Sequence, residues 1–182
     1  MSYLKNLIDA KHTSIQMRKI VRYVGKDQTR FDELIKITLG KEKILAQRAS
    51  WPTGYCVESY PELARKHLRQ IINHLTTKTH PAVQRNLAKL LMFVDLPEKL
   101  ESLVVDKCYL LINSNDAPIA NRAYSAYVVE KICRKYPEMY PELIQSLKAH
   151  SEVASPGMNA VLRKIQKFQQ KFTGNKKELP FL

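Results

Sequence analysis

Apolar residues recur along this chain at the spacing of helix faces. Leu68, Ile71, Ile72 and Leu75 follow i, i+3, i+4, i+7, and Val83, Leu87, Leu90, Leu91 and Val94 form a second stripe. Leu96, Leu100, Leu103, Val104, Cys108 and Leu111 continue the pattern with small slips, and Val161, Ile165, Phe168 and Phe172 close it. No segment alternates with period two for long enough to make a strand. The pattern predicts an all-α chain with helices near 3–24, 30–39, 41–59, 61–76, 80–94, 97–113, 117–135, 138–150 and 156–172. Punctuation supports the boundaries. Pro61, Pro97, Pro137 and Pro141 are each followed by Glu, which suits the first turn of a helix because proline gives up no needed N–H there and the acid meets the positive end of the dipole. Asp116 and Ser155, just ahead of Pro118 and Pro156, are expected to cap the helices that follow. Residues 173–182 read as a tail in which Leu179, Pro180, Phe181 and Leu182 form a short apolar patch able to fold back.

A longer period lies over the helical one. Arg48, Arg85 and Arg122 recur every 37 residues in similar settings (Ala46-Gln47-Arg48-Ala49, Val83-Gln84-Arg85-Asn86, Ala120-Asn121-Arg122-Ala123), and Pro81, Pro118 and Pro156 keep nearly the same beat. Each unit reads as a first helix opening on Pro-Glu, a polar turn, and a second helix bearing the arginine. In this the chain resembles the HEAT and armadillo repeat superfamily, most clearly at Thr79-His80-Pro81-Ala82-Val83-Gln84-Arg85 and Asp116-Ala117-Pro118-Ile119-Ala120-Asn121-Arg122. Tetratricopeptide repeats have a shorter period and a Trp, Leu-Gly, Tyr and Pro pattern that is missing here. The resemblance implies a right-handed α-α superhelix, a solenoid of about four to five HEAT-like helix pairs. It is expected as one domain over 1–172, with repeats near 30–59, 61–94, 97–135 and 138–172, an N-terminal cap at 1–29 and a C-terminal tail at 173–182. It also implies that second helices line the concave face, and that Arg48, Arg85 and Arg122 form a structural ladder tying neighbouring repeats.

Charge changes the picture of partners. Thirty basic and seventeen acidic residues leave a net +13, which favours polyanions or acidic partners. Its distribution is uneven: +6 over 1–50, +4 over 51–94, −1 over 95–140 and +4 over 141–182. Three basic clusters stand out: Arg18, Lys19 and Arg22; Arg65, Lys66 and Arg69; and Arg163, Lys164, Lys167 and Lys171, continuing to Lys176 and Lys177. Acids near the centre (Asp95, Glu98, Glu101, Asp106, Glu130) read as a solvated face. No apolar run is long enough to cross a bilayer, and the start of the chain has no apolar signal region, so no membrane partner is expected. The three widely spaced cysteines, Cys56, Cys108 and Cys133, fit free thiols in a reducing cytoplasm.

Candidate chemistry is sparse. No HExxH, GxSxG or P-loop is present, and His67 and His74 lie two turns apart, too far to share a zinc, so no metal and no cofactor are expected. The sharpest irregularity is Trp51-Pro52-Thr53-Gly54-Tyr55, where proline inside a helix predicts a kink that opens Trp51 and Tyr55 as an aromatic platform. Candidate binding residues are therefore Trp51, Tyr55, Arg65, Arg69, Arg163, Lys167 and Lys171. The expected function is a non-enzymatic scaffold that binds a protein or peptide on its concave face. The alternative is a DNA- or RNA-binding protein similar to the HEAT-like DNA glycosylases that excise alkylated bases. Those enzymes use Trp, Asp and Arg, whereas here Gly54 and Tyr55 stand one turn after the sole tryptophan and no second Trp exists. No catalytic residue is carried over.

Overall fold

The computed structural model describes residues 2–149 and 156–174. Ser155, Lys176, Lys177 and the apolar patch at Leu179–Leu182 lie outside them. Among the described residues the chain is all-α, without a strand, and it divides into two compact units, 1–100 and 101–182.

The first unit holds α1 (Tyr3–Ala10), α2 (Ser14–Val24), α3 (Gln28–Thr38), α4 (Lys43–Ser59), a 3-10 helix over Pro61–His67, α5 (Leu68–His74) and α6 (Pro81–Leu91). The expected single helix over 3–24 is two. Lys11 is extended, and the Thr13 side chain accepts from the Gln16 N–H at 3.2 Å, starting a new helix. The carbonyls freed by this break find side chains: Gln16 Nε2 donates to Leu7 O at 2.7 Å, and Arg48 Nη1 donates to Asp9 O. Gly25 closes α2 at φ 51°, a left-handed conformation that strains any residue with a Cβ. The expected helix over 61–76 opens instead with the tighter 3-10 turns.

α4 is the centre of this unit, packing against α1, α2, α3 and α6. Ala46 and Ala49 are fully buried along it, so neighbouring backbones approach closely, and Phe31, Leu34 and Ile35 of α3 and Leu87 and Ala88 of α6 fill the core. The helix continues through Pro52 to Ser59. Buried hydroxyls occupy this stretch: Thr53 Oγ1 lies 2.7 Å from Thr38 Oγ1 and 2.8 Å from the Ala49 carbonyl. Gly54 has room for a side chain, since an added Cβ would meet only the Asn86 carbonyl, at 3.9 Å. Gly54→Ala is therefore expected to raise stability by about 0.5–1 kcal/mol through helix propensity. Gly25→Ala is expected to lower it by about 1–2 kcal/mol. Urea unfolding of the two variants checks this opposition in sign.

The second unit begins within α7 (Glu98–Ile112) and continues with α8 (Ile119–Cys133), a 3-10 turn over Pro137–Met139, α9 (Tyr140–Ala149) and α10 (Pro156–Gly174). α10 packs on α8 and α9. The expected start of α9 at 138 moves to Tyr140 because Pro141 has no N–H for the Pro137 carbonyl, which accepts instead from Tyr140. The expected cap from Asp116 is absent: Pro118 is the N-cap of α8, without a side-chain bond.

The centre of this unit is a buried carboxylate. Glu130 is 1% exposed, against the expectation of a solvated acid. Arg134 grips it with Nε at 2.9 Å and Nη2 at 2.7 Å, and the fully buried Tyr140 donates its hydroxyl at 3.0 Å. Burial and the adjacent Glu130 push the Tyr140 phenol well above its ordinary range.

Candidate functional site

Trp51 and Tyr55 stand on the open side of α4, the side that also carries Ile44, Arg48 and Glu58 at spacings of one helix face. Trp51 is half-buried, its ring 5.5 Å from that of His12 in the turn between α1 and α2. It is neither enclosed in the core nor fully open. Tyr55 is 38% exposed, and Ile44 at the start of the helix is 64% exposed. α6 completes this surface. Lys89 lies 5.0 Å from the centre of the Tyr55 ring and 5.7 Å from that of Phe93, and it pairs with Glu58 at 3.2 Å. Arg85 is exposed on the same helix. The packed helices α4 and α6 thus carry a Trp, a Tyr and two cations.

The recurring arginines meet different surroundings. Arg48 Nη1 donates to the Asp9 carbonyl and lies 3.1 Å from its carboxylate. Arg122 Nε donates to the Ile112 carbonyl at 3.1 Å, closing the end of α7, while its Nη2 is buried without a hydrogen-bond partner. The Arg85 guanidinium reaches only as far as Asn86 Oδ1, at 3.4 Å. The joint at that repeat is one residue further on: buried Asn86 donates to Ser50 Oγ at 2.9 Å, and Ser50 donates to the Gln47 carbonyl.

Two other joints lie off the arginine beat. Asp32 of α3 accepts from Lys66, from Gln28 at 2.8 Å, and lies 2.7 Å from His67 Nε2. Burial alone would raise its pKa, but these bonds outweigh it and hold the carboxyl down at about 2. Its contribution to stability is thus complete above the ordinary carboxylate range and is lost only as pH falls toward about 2. Glu101 repeats the arrangement in the second unit, meeting Lys135 at 3.2 Å and the Tyr136 hydroxyl at 3.0 Å. In both cases an acid meets residues 34 and 35 positions later. That spacing, close to the repeat length, was the available signal.

The basic clusters separate by role. Arg65 and Arg69 are exposed, whereas Lys66 between them is committed to Asp32. Arg18, Lys19 and Arg22 lie exposed on α2, and Arg163, Lys167 and Lys171 on α10. Cys56, Cys108 and Cys133 are free, fully buried thiols, each pushed up to about 12 chiefly by burial. Such thiols are poor nucleophiles. No group of three His, Cys, Asp or Glu among the described residues could hold a metal ion, and no helix among them is long and apolar enough to cross a membrane. A cavity of about 310 Å³ lined by Lys5, Lys36, Lys41, Glu33 and Glu42 includes none of the predicted site residues.

A family model described as a HEAT repeat domain matches residues 4–169. The chain belongs to the HEAT repeat family. No curated protein and no solved structure matches it. Membership accounts for the helix pairs, and it makes the chain a helical repeat scaffold of a kind that typically mediates protein interactions. Within it, Trp51 and Tyr55 lie on α4 and Lys89 on α6.

Proposed function

We propose that this HEAT repeat protein is a non-enzymatic scaffold that binds a protein or peptide partner through the open side of α4 and α6. The observation that carries the reading is half-buried Trp51 on α4, with exposed Tyr55 one turn further on and Lys89 of α6 over its ring. Large aromatic side chains beside arginines make the anchors that dominate binding energy, because each buries much area at little entropic cost. Arg65 and Arg69 add positive charge on the 3-10 helix and α5 of the same unit. The three buried free thiols fit a reducing, cytoplasmic setting.

A DNA or RNA partner is the second reading, favoured by the net +13 and by the exposed basic face of α2. A photo-crosslinking residue at position 55, activated in cells that make the protein, separates the two. The first reading expects a discrete protein adduct that disappears in the Trp51→Ala background. Nucleic-acid adducts alone, or a protein adduct indifferent to Trp51, would overturn it.

A further inference from the structure

The second unit carries a surface whose organisation the α4–α6 reading leaves unused. On α8 and α10 three rings and three cations alternate. Lys164 lies 4.9 Å from the centre of the Tyr127 ring and 5.8 Å from that of Phe168. Arg134 lies 4.9 Å from Phe168 and 5.3 Å from Phe172, and Lys171 lies 5.9 Å from Phe172. Each cation is thereby held over apolar surface instead of swinging freely in water, so little further ordering is needed when a ligand arrives.

Among the described residues, basic groups outnumber acids on these two helices. α10 has Arg163, Lys164, Lys167 and Lys171 and no acid along its length. α8 has one acid, Glu130, which is buried and spent on Arg134 and Tyr140. Arg163, Lys167 and Lys171 follow one another at i, i+4, i+8 and are all exposed, so their origins rise in steps of about 6 Å. Same-side residues of an extended peptide are spaced at about 6.6 Å. Carboxylates at alternate positions of such a peptide match the row. Nucleic-acid bases fit less well, since stacking needs open ring faces, and every ring in this ladder already has a cation over it.

We infer that the α8–α10 face of the second unit binds an acidic peptide segment, extended, with acids at alternate positions. The site is independent of Trp51 and Tyr55. Carboxylates pair with Arg163, Lys167 and Lys171, and Lys164, seated by the Tyr127 and Phe168 rings, adds positive charge beside the row.

Fluorescence anisotropy on the full chain tests this with three labelled probes: a peptide of six alternating Glu-Ser pairs, its Gln-Ser counterpart, and an oligothymidylate of equal length. The acidic peptide is expected to bind at least about tenfold more tightly than either of the others, and to weaken with salt. Combining Arg163→Glu, Lys167→Glu and Lys171→Glu should cost about tenfold or more, and Trp51→Ala should leave the affinity unchanged. The single Lys167→Glu variant gives the same direction if the triple variant fails to fold. Absence of peptide binding, equal binding of the Gln-Ser peptide or of oligothymidylate, or indifference to the reversed charges would each overturn the inference.

Discussion

Glu130→Ala is expected to lower stability by about 3 kcal/mol, among the largest effects of any substitution of a charged residue in this chain. Glu130 is 1% exposed and holds together residues from two elements, Arg134 at the end of α8 and Tyr140 at the start of α9. Its removal strands the Tyr140 hydroxyl, fully buried, without an acceptor, at a cost of about 1–3 kcal/mol, and leaves a cavity besides. Arg134 suffers less, because its side chain is 43% exposed and can turn to water. Non-additivity makes the test specific. Glu130→Leu combined with Tyr140→Phe should recover much of the loss, since a buried polar network replaced whole by apolar groups costs far less than one broken in half. Urea unfolding of both variants measures it, and equal losses would show that the network has no such coupling.

Phe31→Ala is expected to cost about 3–5 kcal/mol, by lost transfer energy and by the cavity left behind. Phe31 is fully buried in α3, and its ring lies 6.0 Å from that of His67, next to the Asp32 joint. The loss therefore reaches beyond packing, because the ring also seats the histidine against Asp32. Unfolding in urea gives the size of the effect. The acid limb of stability, which Asp32 extends toward about pH 2, should move upward in this variant if the joint is loosened.

Much of the architecture was legible because two periods run through the sequence. The helical stripes placed the elements, and the 37-residue beat gave the family. The failures came where local side chains overrode periodicity. Thr13 and Gln16 turn what reads as one helix into two, through bonds no spacing rule reports. Glu130 reads as a solvated acid from its charge alone, although Ala126 and Cys133, at i−4 and i+3, are buried on its own face of α8. That flank was a readable signal. The arginine beat marked equivalent positions without fixing equivalent contacts, because what each guanidinium meets depends on the preceding turn. Arg48 finds Asp9, Arg122 finds the Ile112 carbonyl, and Arg85 finds little.

The aromatic irregularity at Trp51–Tyr55 took a form the sequence did not fully anticipate. Its partners, His12 and Lys89, come from α1–α2 and α6, 39 and 38 residues away from Trp51 in sequence. Each lies about one repeat distant, so the face exists only once successive repeats are stacked. A scaffold of this kind presents residues that are unremarkable singly and useful together.

Trp51 is the sole tryptophan of the chain, and its own emission is the most direct probe of the central claim. Titrating the protein captured at position 55 into the wild-type chain should shift that emission to shorter wavelength as the half-exposed ring is buried. Trp51→Ala should weaken the complex by about 2 kcal/mol or more, about thirtyfold in affinity. A complex that forms at full affinity without Trp51, leaving the emission of the wild-type chain unchanged, would contradict the assignment of the α4–α6 face as the binding surface.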